Sequence, residues 1–272
     1  MKKTKIDWAD STWNPITGCL HNCEYCYAKN IAYRFGTVGL ESNTENGYEC
    51  DLYEGTGENH VINSPVLREW KNGRTTKAPY PFCFDPTFHR YKLDEPKRWT
   101  KPRNIFVCSM ADLFGEWVPD QWILEVFDAC DAAPQHRYLF LTKNPERYLK
   151  LAEAGKLPNT GNMWFGSTTT TPDTDFFFSD KHHTFWSIEP ILKPFRNGLL
   201  TGVEACEKTN WIIVGAETGN RKNKVIPEAS WIMDIVECAD VTGTPIFMKE
   251  SLRGIMGDCF RQEFPWEVSG DD

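Results

Sequence analysis

Three cysteines lie within eight residues near the start of the chain, in the segment WNPITGCLHNCEYC at 13–26. Cys19, Cys23 and Cys26 are spaced C-x3-C-x2-C. Pro15 and Gly18 come just before the first of them and favour a loop over a helix. The three thiols can therefore converge on one inorganic centre.

The spacing favours an iron–sulfur cluster over structural zinc. Zinc would need a fourth Cys or His at a second paired spacing, and no second C-x2-C or H-x3-5-H follows in the sequence. Four-cysteine ferredoxin spacings are also absent, so three thiolates on a [4Fe–4S] cluster would leave one iron open. A small zinc knuckle, a disulfide with a spare thiol, and chance are the alternative interpretations. His21, inside the loop, is expected to support the site or face solvent, since three cysteines suffice as ligands.

With the aromatic Tyr25 before its last cysteine, the loop resembles the cluster loop of the radical S-adenosylmethionine (SAM) enzymes. The wider string NPxxGCxHxCxYCYA is similar to the spore photoproduct lyase branch. The resemblance implies a [4Fe–4S] cluster on Cys19, Cys23 and Cys26, with SAM on the open iron and Tyr25 beside the cofactor. It also implies an external electron donor of the flavodoxin or ferredoxin type, and cleavage of SAM to a 5′-deoxyadenosyl radical that takes hydrogen from a substrate.

The composition is that of an enzyme-sized domain. At 272 residues, with 40% hydrophobic and 14% aromatic content, the chain can bury a sizeable core. No apolar run follows the basic first residues, so we expect this stretch to be neither a signal peptide nor a membrane anchor. Ten cysteines, several in apolar stretches, predict reduced thiols and a cytoplasmic protein. The net charge of −8 argues against indiscriminate nucleic-acid binding, because neutralising phosphates takes clustered Lys and Arg; a local basic patch is still compatible with it.

From residue 80 onward, short apolar runs alternate with helical stretches, which indicates parallel βα units. The predicted strands are 82–84, 105–108, 138–141, 164–166, 184–187, 211–214 and 246–248, with one more near Trp13. The predicted helices are 24–35, 120–132, 145–154 and 227–241, and any helix in 168–181 is expected to be degraded. Residues 36–77 lose periodicity and are expected to form an irregular insertion. We therefore predict one α/β domain over 1–272, a partial or irregular (β/α) barrel of six to eight parallel strands, of the radical-SAM type that the resemblance implies.

Polar residues end several predicted strands, and in parallel barrels the active site lies at those carboxyl ends. Any single one is readily a helix cap, but together they predict a ligand-binding rim. Lys143 directly follows a strand and is expected to pair with the SAM carboxylate, whereas Glu189 and Glu217 are candidates for substrate orientation or proton transfer. The strand-end residues are Ser109, Asp112, Thr142, Lys143, Ser167, Thr168, Glu189, Glu217 and Lys249.

Four further segments resemble successive motifs of the phage Gp37/Gp68 family (DUF5131), a radical-SAM-like group, so that the likeness covers nearly the whole chain. By resemblance to the related lyases, Ser109, Lys143 and Ser167 contact SAM. Cys108 stands where the family usually has Asn, and its thiol is a candidate hydrogen donor. The segments are EPKRWTKPRNIFVCSMADLF at 95–114, LTKNPER at 141–147, SIEPIL at 187–192 and WIIVGAETG at 211–219.

Two substrate classes are compatible with these features. A nucleic-acid base or modified nucleotide, as in phage-type DNA base modification or repair, is suggested by the lyase-like string, the phage-type family and the basic loop with Arg221, Lys222 and Lys224. That loop is equally compatible with a solvated turn. A peptide- or protein-modifying radical enzyme is the alternative, for which a separate leader-binding domain is usually expected. A non-enzymatic, zinc-stabilised binding module is a third hypothesis.

Overall fold

The computed structural model of the chain describes residues 4–36, 48–49, 53–56, 59–69, 72–195 and 202–268. The chain divides into two compact units, Ser11–Tyr138 and Met1–Asp10 with Leu139–Asp272. The strands are β1 (Ser11–Trp13), β2 (Ile16–Thr17), β3 (Tyr48–Glu49), β4 (Tyr53–Thr56), β5 (Asn59–Ile62), β6 (Leu67–Glu69), β7 (Thr75–Lys77), β8 (Thr87–His89), β9 (Asn104–Val107), β10 (Arg137–Thr142), β11 (Met163–Thr169), β12 (His183–Ile188), β13 (Ile212–Val214) and β14 (Ile246–Met248). The α-helices are α1 (Tyr27–Phe35), α2 (Asp120–Asp131), α3 (Glu146–Glu153), α4 (Gly202–Glu207), α5 (Ala229–Thr242), α6 (Arg253–Met256) and α7 (Pro265–Val268).

Seven strands form a parallel sheet in the order β1-β9-β10-β11-β12-β13-β14. In the first unit, β1 pairs with β9 and sets Trp13 opposite Val107. In the second unit, β12 lies between β11 and β13, and β14 pairs with β13. The fold is thus mixed α/β and is consistent with the predicted partial barrel of six to eight strands, while the radical-SAM type of barrel stays a prediction.

The strands of the second unit are buried almost throughout, including all seven residues of β11. Burial along the whole strand is typical of parallel strands that are covered on both faces. The α5 residues Ile232, Ile235 and Ala239 recur at helical spacing and pack with Val214 and Met248 in one apolar core. Each fully buried Ile side chain contributes about 1.5–3 kcal/mol, which holds the carboxyl ends of β13 and β14 in place.

In the first unit, two smaller sheets accompany β1 and β9, in the orders β2-β8-β5-β4 and β3-β6-β7. Strand β2 follows β1 after two residues and pairs antiparallel with β8, with Ile16 opposite Phe88. Cys19, the first of the three cysteines, comes two residues after the end of β2. This sheet therefore anchors the entry to the cysteine loop.

The predicted strand at 82–84 is wrong, because these residues form turns. The Cys83 N–H donates to the Tyr80 carbonyl at 3.2 Å, the Asp85 N–H donates to the Phe82 carbonyl at 3.0 Å, and Cys83 has φ of 52°. Pro81 and Pro86 bracket the segment and remove the donors that a sheet needs. The actual strand, β8, starts one residue after the second proline.

The other predictions of secondary structure agree with the structure to within about three residues at either end. All four predicted helices are present as α1, α2, α3 and α5, and 170–182 contains no helix. The predicted insertion, 36–77, carries strands β3 to β7 in its described part, and its parts 37–47, 50–52, 57–58 and 70–71 lie outside the described residues. The prediction of a single domain stays a prediction. None of the helices in the described part of the chain combines the length and the apolar character needed to cross a membrane.

Candidate functional site

The cysteine loop begins with a close backbone approach at Gly18. Gly18 has φ of 87° and donates its N–H to the Met110 carbonyl at 2.9 Å, and the Cys19 N–H donates to the Phe84 carbonyl at 3.2 Å. A Cβ at Gly18 would lie 2.2 Å from the Asp85 carbonyl oxygen. Only glycine both adopts this φ without strain and leaves room for the neighbouring backbone.

The three cysteine thiols are half-buried in one loop. Burial raises the pKa of Cys19 to about 12, and Cys23 and Cys26 are near enough to raise it further by charge repulsion. Cys26 caps α1, where its Sγ accepts the Lys29 N–H at 3.4 Å, and its own N–H donates to the Cys23 carbonyl. A thiol with so high a pKa is protonated, so metal binding at Cys19 would release a proton.

The thiols and their apolar surroundings are chemically suited to a soft metal centre. Cys19 and Cys26 pack against an apolar cluster formed by Ala28, Ala32, Phe84 and Met110. Thiolates select iron–sulfur clusters, zinc and Cu(I) over hard cations, so the donor set suits an iron–sulfur cluster. In the described residues, no group of three or more His, Cys, Asp or Glu is positioned to hold a metal ion.

His21 is bonded through one of its two ring nitrogens to the segment that follows β9. Its Nε2 lies 2.8 Å from Oδ2 of Asp112, and its ring meets the Trp117 ring edge-on at 4.9 Å between centroids. Asp112 is buried, and its Oδ1 accepts the Phe114 N–H at 3.0 Å. His21 thus fastens the cysteine loop to the segment after β9, while its predicted role at a metal site stays a prediction.

Asn14 positions the segment that follows β9. Its Oδ1 accepts both the Ser109 hydroxyl at 3.1 Å and the Met110 N–H at 3.0 Å. The Tyr27 hydroxyl donates to the Ser109 carbonyl at 2.8 Å. Ser109 is therefore held both by Asn14, before the cysteine loop, and by Tyr27, at the start of α1. Sequence reasoning missed Asn14, although it lies in the string used for the resemblance.

Cys108 is a buried thiol on a strained backbone, at φ of 58°. Its N–H donates to the Trp13 carbonyl at 2.8 Å, and burial raises its pKa to about 12. Lys92, which sequence reasoning also missed, donates its Nζ to the Asn14 carbonyl at 3.3 Å, and burial lowers its pKa to about 8. Tyr25 is half-buried in the cysteine loop.

In the second unit, Glu189, Gly215 and Lys249 directly follow the adjacent strands β12, β13 and β14. The Lys249 ammonium donates to the Glu189 carboxylate, and the two side chains are 18% and 26% exposed, respectively. A Cβ at Gly215 would lie 2.9 Å from Cδ of Lys249 and 3.3 Å from Cγ of Glu189. The missing side chain of Gly215 therefore lets the pair form across the end of β13.

Glu217 forms a two-pronged ion pair with Arg221. Its side chain is 1% exposed, and its two oxygens accept from Nε and Nη2 of Arg221 at 2.6 and 2.7 Å. These hydrogen bonds hold the pKa of Glu217 below its usual value. Arg221 is thus committed to Glu217, whereas Lys222 and Lys224 of the predicted basic loop are exposed.

Lys143 and Ser167 differ in their positions. Lys143 directly follows β10, as predicted, and is half-buried. Ser167 lies inside β11, which runs on to Thr169, and is fully buried. Its Oγ accepts the Phe177 N–H at 2.8 Å. A role for either residue in SAM binding stays a prediction.

The predicted site residues are shared between the two units. Those in Ser11–Tyr138 are Cys19, Cys23, Tyr25, Cys26, Cys108 and Ser109, and those in Leu139–Asp272 are Lys143, Ser167, Glu189 and Glu217.

The profile of the family described as "Protein of unknown function (DUF5131)" matches residues 3–255. No curated protein and no solved structure matches the chain significantly. Since the matched residues span nearly the whole sequence, the chain belongs to the DUF5131 family.

Proposed function

We propose that the chain is a radical SAM enzyme that acts on a nucleic-acid base or modified nucleotide. One observation carries the proposal: three half-buried thiols lie in one eight-residue loop, and two of them, Cys19 and Cys26, pack against an apolar cluster. Three thiolates without a fourth protein ligand suit a [4Fe–4S] cluster with an open iron better than structural zinc.

Cys19, Cys23 and Cys26 would hold the cluster, and bound cluster and SAM together would supply a carbon radical able to take hydrogen from an unreactive C–H bond. The protein's part is to fix the geometry and exclude water. The close approach at Gly18 and the capping bond of Cys26 fix the backbone of the loop. Asn14 keeps Ser109 oriented.

Two serines and a lysine are the proposed SAM contacts. The Ser109 hydroxyl donates to Asn14, which leaves its lone pairs to accept from a hydroxyl or amino group of SAM. Ser167 accepts from Phe177 and so keeps its O–H as a donor. Lys143 pairs its charge with the SAM carboxylate.

Cys108, a buried thiol, and the partly exposed Glu189–Lys249 pair are the groups proposed to take part in the reaction of the substrate. The raised pKa of Cys108 keeps its thiol protonated, which is the form that can donate a hydrogen atom. Glu189 and Lys249 present an acceptor and a donor side by side, partly exposed. Such a pair suits a base edge that carries both an N–H and a carbonyl. Lys222 and Lys224, in the segment after β13, are exposed cations that could meet the phosphates of such a substrate.

The first test is the metal content of protein purified without oxygen. We expect about four irons and four sulfides per chain after reconstitution, and much less in the Cys23→Ala variant. Cys238→Ala is the matched control, because Cys238 is half-buried on α5 outside the loop. Zinc without iron would instead support the binding-module hypothesis. A separate assay with candidate substrates tests the alternative, since modification of a peptide but of no nucleotide would support a peptide-modifying enzyme.

A further inference from the structure

A basic segment lies at the amino end of strand β9, in the unit Ser11–Tyr138. It reads PKRWTKPR at 96–103 and has four cations and no carboxylate in eight residues, although the whole chain carries a net charge of −8. Lys97, Arg98 and Lys101 are exposed, and Arg103 is half-buried. The proposed function uses none of them. We call these four residues the basic strip.

Contacts with the segment before β10 fix the backbone of the basic strip. The Gln135 Nε2 donates to the Trp99 carbonyl at 3.2 Å, and the His136 Nε2 lies 3.0 Å from the Pro96 carbonyl oxygen. The Arg103 guanidinium lies over the Trp99 ring, 5.1 Å from its centre. A partner that binds here therefore does not have to order the backbone, which lowers the free-energy cost of binding.

A fifth cation lies beside the basic strip, because the strands β1, β9 and β10 begin at the same edge of the sheet. The Nη1 of Arg103 donates to the Ser11 hydroxyl at 2.9 Å, at the start of β1. Arg137 is the first residue of β10. Its N–H donates to the Arg103 carbonyl at 2.8 Å, and its Nη1 donates to Oδ1 of Asn104 at 2.6 Å. These bonds hold both guanidinium groups at the amino edge.

The surroundings of the basic strip favour a polyanion over a protein surface. From 72 to 138, all of which the structure describes, no large apolar side chain is exposed, whereas the core of a protein interface is apolar and depleted in Lys. Trp99 is half-buried beneath Arg103, so the strip offers cations rather than a free aromatic face. Lys97 lies 3.6 Å from Asp94 in an exposed ion pair. Such a pair contributes about 0–1 kcal/mol, and a phosphate can replace its carboxylate.

We propose that the basic strip binds the phosphate backbone of a polymeric nucleic acid, a few nucleotides away from the one that reacts. The inference rests on the proposed function and deepens it, because it makes the substrate a polymer rather than a free nucleotide. The four residues of β9 separate the strip from Cys108, and they span about 13 Å at about 3.3 Å per residue. This is the length of about four base steps. A nucleic acid that reaches the carboxyl end of β9 therefore needs only a short extension to contact the strip.

The test is the binding of labelled single-stranded DNA, duplex DNA and RNA oligonucleotides to the reconstituted protein, followed by fluorescence anisotropy over a range of salt concentrations. We expect the wild type to bind at least one of them. In the Lys97→Gln/Arg98→Gln/Lys101→Gln variant, this affinity should fall about tenfold or more at low salt. The slope of log affinity against log salt should become flatter by about two to three units, because three phosphates are no longer neutralised.

The matched control removes three exposed cations of the other unit, so that both variants have the same net charge. It is Lys150→Gln/Lys156→Gln/Lys181→Gln, and it should bind the oligonucleotide as the wild type does. An equal loss in both variants would show a general effect of charge and overturn the proposal. No binding by the wild type, or unchanged binding by the strip variant, would overturn it as well. If polyglutamate of equal charge binds the strip as tightly as the oligonucleotide, the partner is an acidic protein instead, and the proposal is wrong.

Cleavage of SAM by the wild type, measured without nucleic acid, separates this inference from the proposed function. If the wild type cleaves no SAM but its oligonucleotide binding depends on the basic strip, the proposed function fails while the strip still binds nucleic acid. If the wild type cleaves SAM and the strip variant binds the oligonucleotide equally well, only the inference about the strip fails.

Discussion

Replacing Gly18 by alanine should destabilise the unit Ser11–Tyr138 and disturb the cysteine loop. At φ of 87°, a residue with a Cβ costs about 1–2 kcal/mol. The new Cβ would also lie 2.2 Å from the Asp85 carbonyl oxygen and 2.7 Å from that of Phe84. These are backbone atoms and cannot rotate away, so overpacking adds about 1–3 kcal/mol. The expected total loss of unfolding free energy is about 2–5 kcal/mol.

Gly73→Ala separates the two costs, because Gly73 has φ of 75° but a methyl group there would meet no neighbouring atom within 4 Å. The free energy of unfolding of this variant should fall only by the backbone cost, about 1–2 kcal/mol. Both variants can be measured by urea unfolding followed through tryptophan fluorescence, together with their iron content after reconstitution. We expect the larger loss and reduced iron in Gly18→Ala, and normal iron in Gly73→Ala. Equal stability losses in the two variants would refute the steric argument.

Three further outcomes follow from the second unit. Glu217→Gln should lower the unfolding free energy by about 2 kcal/mol at pH 7, as expected for charged hydrogen bonds. Because Arg221 lowers the folded pKa of Glu217, this contribution is complete above the usual pKa of 4.5 and is lost as pH falls through the lower folded value; calorimetry from pH 7 to pH 3 should show the difference from wild type shrinking. Lys143→Ala should keep the cluster but weaken SAM binding about tenfold, since a charged hydrogen bond contributes about 1.5–3 kcal/mol; unchanged binding by equilibrium dialysis would remove Lys143 from the site. Neutralising Lys222 and Lys224 should flatten the salt dependence of DNA affinity, and a wild type without any salt-dependent DNA binding would exclude a polymeric substrate.

Strands β13 and β14 were predictable from sequence because burial on both faces leaves a continuous apolar run, IIV and IFM. Strands β4 and β8 were not predictable, since their residues, YEGT and TFH, form no such run. Pairing with a neighbouring strand, rather than their own pattern, makes them strands.

The three thiols of the cysteine loop can be grouped from the sequence because they are close along the chain. The pairs that orient other residues join distant positions. Asn14 reaches Ser109 across 95 residues, and Lys249 reaches Glu189 across 60. No periodicity encodes such contacts. Arg221 was predicted to belong to the basic loop, but its side chain is paired with Glu217. This contact could not be predicted either, because charge alone does not reveal which carboxylate engages an arginine.

Radical SAM activity is tested most directly by the formation of 5′-deoxyadenosine from SAM in the anaerobically reconstituted and reduced protein. We expect product from the wild type and none from Cys23→Ala, because losing one of three thiolate ligands would remove the cluster with its open iron. Full activity in Cys23→Ala, or a cluster-loaded wild type that forms no 5′-deoxyadenosine, would contradict the proposed function.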